Sequence, residues 1–197
     1  MARVLLLSGG IDSIALAAWH RPELCLTVRY GQAAADAEVQ SSARACQELG
    51  LRHEVLEVAL PSLGSGCMAG QTASPHSVHE EFWPFRNQYL ITLAGMVAIK
   101  EGLREILIGT VVTDRRHADG SPEFLRAIRE LIGLQEGAVQ VRAPAAELTS
   151  EQLVEQSGIS MAVLGWAHSC HTSALACGNC PGCRKHSQVM TSLGLFR

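Results

Sequence analysis

Four consecutive apolar residues, Val4-Leu5-Leu6-Leu7, run directly into Ser8-Gly9-Gly10 and then into a segment where Ile14, Leu16, Ala17 and Trp19 fall at helical spacing. A short, continuously apolar run suits a strand buried on both faces, the environment of a parallel sheet covered by helices on each side. Ser8-Gly9-Gly10 breaks the strand, and Asp12 or Ser13 is placed to cap the helix that follows. The opening twenty residues therefore predict a strand-loop-helix unit, and the remainder of the chain has to supply the rest of the sheet.

It does so by repetition of the same alternation. Leu24 to Val28 reads as a second strand, residues 33–49 as a helix ending at Gly50, and residues 53–60 as a third strand. Residues 61–84 lose periodicity and gather Gly, Ser, Pro and His, which predicts a long functional loop or lid. Residues 86–102 have helical spacing in Leu90, Leu93, Ala94 and Val97; Ile106 to Ile108 is a strand, and residues 110–120 form a polar stretch. Residues 122–134 predict a helix, 139–141 a strand, and 149–156 a helix opened by the capping-box pattern Thr149-x-x-Gln152. The fold class is thus α/β: a doubly wound parallel sheet with right-handed crossovers, whose ligand site lies at the carboxyl ends of the strands. The loops after the first, second and fourth strands are the ones expected to converge there.

The first of those loops carries chemistry. In Ser8-Gly9-Gly10-Ile11-Asp12-Ser13 small residues stand between a strand and a helix start, so that main-chain N–H groups and the helix dipole can surround an oxyanion. Glycine admits positive φ and close approach, and the Ser8 and Ser13 hydroxyls add donors. Asp12 repels phosphate unless a cation intervenes, which points to magnesium. An ordinary βα turn is the plain alternative for a glycine pair. The six residues together resemble the pyrophosphate-binding loop of the adenine-nucleotide α-hydrolase-like superfamily, whose members cleave ATP between the α- and β-phosphates. A P-loop is excluded because no G-x-x-x-x-G-K-[ST] is present, and Gly64-x-Gly66-x-x-Ala69 is an accidental likeness to a dinucleotide fingerprint, since Pro61 and Pro75 interrupt its context.

Of seven cysteines, Cys25, Cys46 and Cys67 are scattered, whereas Cys170, Cys177, Cys180 and Cys183 lie close together near the C-terminus. Isolated cysteines in apolar segments pack; clustered ones in a reducing compartment ligate metal. Four thiolates close a tetrahedral zinc shell and leave no position for water, so the site is read as structural. An iron–sulfur centre uses the same ligand number. Gly178, Pro181 and Gly182 permit the turns, Arg184 or Lys185 is expected to offset the negative charge, and His168, His171 and His186 are left as surrounding groups rather than ligands.

Composition sets limits on partners. A net charge of -3 gives no basic footprint for a nucleic-acid backbone, and no apolar stretch approaches a membrane span. Met1-Ala2-Arg3-Val4 leads into the first strand without a cleavage signal, so a cytoplasmic protein is expected.

Taken together, Ser8 to Ser13, Tyr30-Gly31-Gln32, Pro84-x-Arg86-Asn87, Asp119 with Pro122-Glu123-Phe124, and Trp166-x-x-Ser169-Cys170 followed by Ala176-Cys177-Gly178-x-Cys180-x-x-Cys183 resemble the 7-cyano-7-deazaguanine synthase (QueC) family over nearly the whole chain. The resemblance implies a Rossmann-like domain at 1–160, a zinc-binding segment at 161–197 and a homodimer. It also implies adenylation of 7-carboxy-7-deazaguanine by ATP, with attack by ammonia and a second activation that yields the nitrile. Ser8, Gly9, Gly10, Ile11, Asp12, Ser13, Tyr30, Gly31 and Gln32 would bind ATP, with Asp12, Ser13 and Arg86 catalytic. Arg86, Asn87, Asp114, Asp119 and Glu123 would hold the deazapurine, carboxylates being the acceptors that suit a guanine-like N–H edge. ATP, Mg2+ and Zn2+ are the implied cofactors.

The sequence departs from the family in the substrate half. Tyr30-Gly31-Gln32 runs into Ala33-Ala34-Ala35 where the family has a basic residue and histidine, Thr110-Val111-Val112 lacks the usual asparagine, and Arg115-Arg116-His117-Ala118 replaces a Tyr-rich segment. Transfer of the activated acyl group to another amine, for example on a protein recruited through Arg115, Arg116 and His117, is therefore a second expectation. A tRNA-modifying relative and a non-enzymatic nucleotide sensor are the remaining alternatives.

Overall fold

The computed structural model describes residues 1–195, except for the side chains of residues 61 and 116; the last two residues of the 161–197 segment lie outside the described residues. Five parallel strands, β1 (Arg3–Leu6), β2 (Leu24–Arg29), β3 (His53–Glu57), β4 (Glu105–Leu107) and β5 (Gln140–Arg142), form one sheet in the order β3-β2-β1-β4-β5. Val4 pairs with Leu24 on one side and Ile106 on the other, so the strand order reverses at β1 and leaves a crevice between the ends of β1 and β4. Crossovers run through α1 (Ile11–His20), α2 (Ala35–Leu49), α3 (Arg86–Glu101) and α4 (Pro122–Gly133), followed by α5 (Ser150–Ser157), α6 (Met161–Leu164) and α7 (Pro181–Ser192).

The two-residue period of the strands sorts the core into two layers. Val4, Leu24, Leu26 and Ile106 meet Ile91 and Ala94 of α3 and Leu125 and Ile128 of α4. Leu5, Leu7, Cys25 and Leu107 face the other way, onto Ile14 and Leu16 of α1, Cys46 of α2, Leu153 of α5 and Val189 and Met190 of α7. Each buried Leu or Ile contributes about 1.5–3 kcal/mol, so helices on both faces are what an apolar run such as residues 4–7 requires. Cys25 and Cys46 are core residues, and Cys67 packs half-buried against the first layer. Glu105 is buried on β4 and sits between Arg3 of β1 (3.1 Å) and Arg142 of β5 (3.3 Å), so charge as well as backbone ties three strands together.

Several boundaries differ from expectation. The third strand stops at Glu57 instead of Leu60, because its partner β2 ends at Arg29 and the chain then turns at Gly31 (φ 102°). Neither Asp12 nor Ser13 caps α1; Gly10 is the N-cap, which puts both inside the first turn. The Thr149 capping box forms as read, with Thr149 N–H donating to Gln152 Oε1 (2.9 Å) and Gln152 N–H to Thr149 Oγ1 (3.3 Å). Residues 61–84 contain short 3-10 turns at Pro61–Leu63 and Cys67–Ala69 and fold back on the sheet, with Trp83 buried edge-on against Tyr30 at 4.9 Å between ring centres. No dinucleotide-type helix follows Gly64 and Gly66. The short α6 and the long α7 were not anticipated from the sequence.

Candidate active site

The Ser8–Ser13 loop sits at the strand-order reversal and is braced from behind. Gly9 has φ 74°, and a Cβ there would lie 2.7 Å from the Glu38 carbonyl oxygen, so both conformation and space demand glycine. The Gly9 carbonyl accepts from His168 N–H at 2.8 Å. Ser41 Oγ lies 2.7 Å from both the Gly9 and Trp166 carbonyl oxygens, and its single hydrogen serves one at a time. Gly10 has ordinary φ, and nothing lies nearer than 3.5 Å to a Cβ built there, so openness rather than strain is its contribution. The first-turn N–H groups of α1 have no acceptor within the helix, Gly10 supplies no side-chain cap for them, and Ile11, Asp12 and Ser13 line the crevice. Ser13 Oγ donates to the Gly10 carbonyl (3.0 Å) and lies 3.1 Å from Ser8 Oγ, fixing the two hydroxyls side by side.

The crevice has a volume of about 590 Å³, within the range of small-molecule sites. Ser8, Gly10, Ile11, Asp12, Ser13, Tyr30, Arg86, Asn87, Asp114 and Asp119 line it. Gly9, Gly31, Gln32 and Glu123 do not. Gln32 is buried behind the wall, where Oε1 accepts from Tyr30 N–H (2.9 Å) and Nε2 donates to the Val28 carbonyl and to Glu38 (2.7 Å). Glu123 stands in the first turn of α4, outside the crevice lining, with its carboxylate in solvent 3.6 Å from Arg126.

At the far end Asn87 and Asp119 hold one another: Asp119 Oδ2 accepts from Asn87 N–H (3.2 Å), and Asn87 Nδ2 donates to the Asp119 carbonyl (3.0 Å). Arg86 lies beside Met68 Sδ and Asn87 Oδ1. Asp114 belongs to the other end. Its Oδ2 accepts from Val111 N–H (3.1 Å) and its Oδ1 meets Lys185 Nζ (3.2 Å), so both oxygens are engaged away from Asp119.

Three residues line the crevice that the sequence reading did not place there. Lys185 lines the crevice and donates to Asp12 Oδ2 at 2.7 Å as well as to Asp114; burial lowers its pKa, but the two carboxylates outweigh it and hold the ammonium above its ordinary value. The expectation that Arg184 or Lys185 neutralises the thiolates is thereby corrected, since Arg184 turns to the Asn179 carbonyl and Glu80. Glu38 also lines the crevice, and burial raises its pKa against opposing contributions from Gln32 and Arg86. His117 reaches the crevice with Nε2 3.0 Å from the buried Glu81. Arg115 pairs with Glu147 at 2.8 Å, so two of the three residues assigned to an acidic partner are already paired within the chain; the Arg116 side chain lies outside the described residues. A lysine 173 positions from its partner leaves no local pattern to find.

The four C-terminal cysteines converge, their Sγ atoms all within 4.8 Å of one another. Tetrahedral zinc with bonds of about 2.3 Å sets its sulfurs about 3.8 Å apart, and Cys177 and Cys183 stand at 3.9 Å. Main-chain N–H groups of His171, Cys180 and Cys183 point at Cys180 Sγ, Cys177 Sγ and Cys180 Sγ at 3.3–3.4 Å, as thiolates require. Burial pushes the Cys170 thiol up, but hydrogen bonds from Thr172 and the main chain prevail and bring it to about 5. Burial, with its three neighbours, pushes Cys183 up to about 12. A fourth thiolate is therefore costly until a dication is present, and the donor set suits zinc. None of the three histidines completes the set.

A parallel α/β sheet with a glycine-rich strand-to-helix loop at its reversal point and a convergent four-cysteine cluster defines a narrow class of protein. The family model described as "Queuosine biosynthesis protein QueC" matches residues 2–194, and the chain belongs to that family. It is 30% identical over 213 residues to the 7-cyano-7-deazaguanine synthase of Pseudomonas fluorescens, covering 98% of this chain and 92% of the relative. The enzyme of the same name from Stenotrophomonas maltophilia is 31% identical, covering 98% and 95%, and that of Desulforudis audaxviator 28% identical with both chains covered in full. No helix among the described residues is long and apolar enough to cross a membrane.

Proposed function

We propose that this chain is an AMP-forming carbon–nitrogen ligase that activates 7-carboxy-7-deazaguanine with ATP and delivers the acyl group to ammonia, giving 7-cyano-7-deazaguanine by way of the amide. The observation that carries this reading is the Ser8–Ser13 loop, whose uncapped helix start opens into the same crevice as Arg86, Asn87 and Asp119. The relatives named 7-cyano-7-deazaguanine synthase support the choice of product. Residues 1–160 act as the ATP-binding unit and 161–197 as the zinc-holding segment, in the cytoplasm. The implied homodimer would appear in light scattering as twice 21.1 kDa.

The substrate carboxylate attacks the α-phosphorus and pyrophosphate departs; ammonia then attacks the acyl carbon, releasing AMP and a proton, and the amide oxygen is activated by a second ATP before AMP leaves to form the nitrile. First-turn N–H groups of α1 and the Ser8 and Ser13 hydroxyls stabilise the charge that builds on the leaving pyrophosphate. Asp12 Oδ1 is buried without a hydrogen-bond partner, which fits it to a hard divalent ion. Magnesium bound there would spread the charge of the leaving group. Arg86 orients a carboxylate or phosphate through its planar fork, and Asp119 keeps Oδ1 for an N–H edge of the deazapurine.

A second reading, transfer to an amine other than ammonia, is favoured by the acceptor end. Ala34 and Ala35 are buried and contribute nothing to the crevice, and the Glu81–His117 pair stands where the family has a Tyr-rich segment. Incubation with ATP, magnesium, ammonia and 7-carboxy-7-deazaguanine should yield AMP and pyrophosphate, with the nitrile mass in the product. A substituted amide or protein adduct without nitrile would support the second reading. Tight ATP binding without acid-dependent pyrophosphate release would leave only a nucleotide sensor, and orthophosphate with ADP would sink both.

A further inference from the structure

We infer that Lys185 grips the β- and γ-phosphates of the bound nucleotide, and that the four-cysteine cluster is what sets it in the loop. The inference rests on the ATP-binding reading above. Two carboxylates, Asp12 and Asp114, stand at the phosphate end of the crevice, and by themselves they would repel a triphosphate. Among the described residues the Lys and Arg side chains lining the crevice are Arg86, Arg184 and Lys185. Arg86 lies by Met68 and Asn87, and Arg184 by Asn179 and Glu80, which leaves Lys185 as the cation at that end. An ammonium has three donors, and Asp12 and Asp114 take two of them. The third donor, on a flexible stem, remains for a phosphate oxygen.

Its position is inherited from the cluster. Lys185 follows Cys183 by two residues on α7, and Cys180 is the N-cap of that helix, its Sγ accepting from Cys183 N–H at 3.4 Å. Pro181 and Gly182 fill the first turn, Gly182 with its Cα so close to the Ser169 carbonyl that a Cβ would lie 1.9 Å away. A helix beginning with these residues draws its direction from the tie at its start more than from intrinsic propensity. The cysteines thus aim α7, and with it Lys185, across the chain at the first helix.

The test is equilibrium binding of ATP and of AMP to the full chain with its metal, comparing native protein with Lys185→Met, Lys185→Arg and the double variant Lys185→Met, Asp114→Asn. Lys185→Met should weaken ATP tenfold or more and AMP less than threefold, because AMP lacks the outer phosphates, with zinc content and circular dichroism unchanged. Lys185→Arg should hold ATP within about threefold of native, in keeping with a retained charge. The double variant removes the carboxylate left unpaired, so it stays folded if the single variant does not, and its ATP binding should remain weak. Return of native ATP affinity in the double variant would show that Lys185 only masks Asp114 and would overturn the inference. Equal losses for ATP and AMP, or none, would overturn it as well. Native protein that binds neither nucleotide would instead bring down the ATP-binding reading itself.

Discussion

The two ends of the crevice are built differently. At the end proposed to hold phosphate, main-chain atoms frame the loop: Gly9 is locked by φ and by the Glu38 carbonyl, its own carbonyl is held by His168 and Ser41, and α1 begins at a fixed place after β1. At the end proposed for the acceptor, side chains do the lining: Arg86 and Asn87 at the start of α3, Asp119 on the 3-10 turn Ala118–Gly120, and Met68 on the irregular 61–84 stretch. Main-chain sites tolerate little change because every atom also belongs to the fold, whereas side-chain sites can be rewritten residue by residue. Of the segments whose pattern departs from the family resemblance, Thr110 and His117 fall in the crevice lining, whereas residues 33–35 lie outside it.

Substitutions at the two ends should separate accordingly. Asp12→Ala should lower pyrophosphate release about a thousandfold, roughly 4 kcal/mol of transition-state stabilisation, for any acid offered and with an unchanged circular dichroism spectrum; acid-dependent loss would erase the contrast. Cys180→Ala should release the metal and cost several kcal/mol of stability, and the phosphate end should suffer with it, since residues 166–168 brace the loop immediately before Cys170. Native ATP affinity in a folded, metal-free Cys180→Ala protein would show the brace to be dispensable.

Asp119→Asn should raise KM for the deazapurine acid about tenfold, the discrimination expected from one buried hydrogen bond, while ATP affinity stays at the native value; a matching loss for ATP would mean that the two ends are not separable. The smallest effect concerns pH. Burial lowers the pKa of His53, whose Nε2–H donates to Thr27 Oγ1 at 2.8 Å, and burial, then Arg3 and Arg142, lower that of His20. For a histidine depressed in the folded state the unfolded chain takes up protons first, so stability is lost as pH falls below about 6.5. Both groups lie outside the crevice, so Tm should drop by a few degrees between pH 7.5 and 5.5 in native and Asp119→Asn protein alike, and His53→Gln should reduce the slope.

Much of the frame was legible because it depends on local pattern. The apolar run at 4–7, the capping box at Thr149, the glycines closing helices at 50 and 102 and the spacing of the last four cysteines each state a geometry within a few residues. Other features were not legible, because their partners are remote. The third strand ends where β2 ceases to pair; Asp114 and Glu123 look alike as isolated acids, yet one meets Lys185 and the other meets solvent. Residues 61–84 read as a functional loop or lid with no sign that Trp83 is buried against Tyr30, since a tryptophan without periodic neighbours does not show what it covers.

The order of buried strands and helices, the glycine-rich turn and the thiolate quartet follow from the residues alone, because each is enforced by contacts or conformations close along the chain. Which carboxylates meet a cation, which meet solvent, and how the C-terminal helix comes to present Lys185 to the first helix were decided only when the fold brought residues 12, 114 and 185 together. Charges act through space, and distance through space is set by packing.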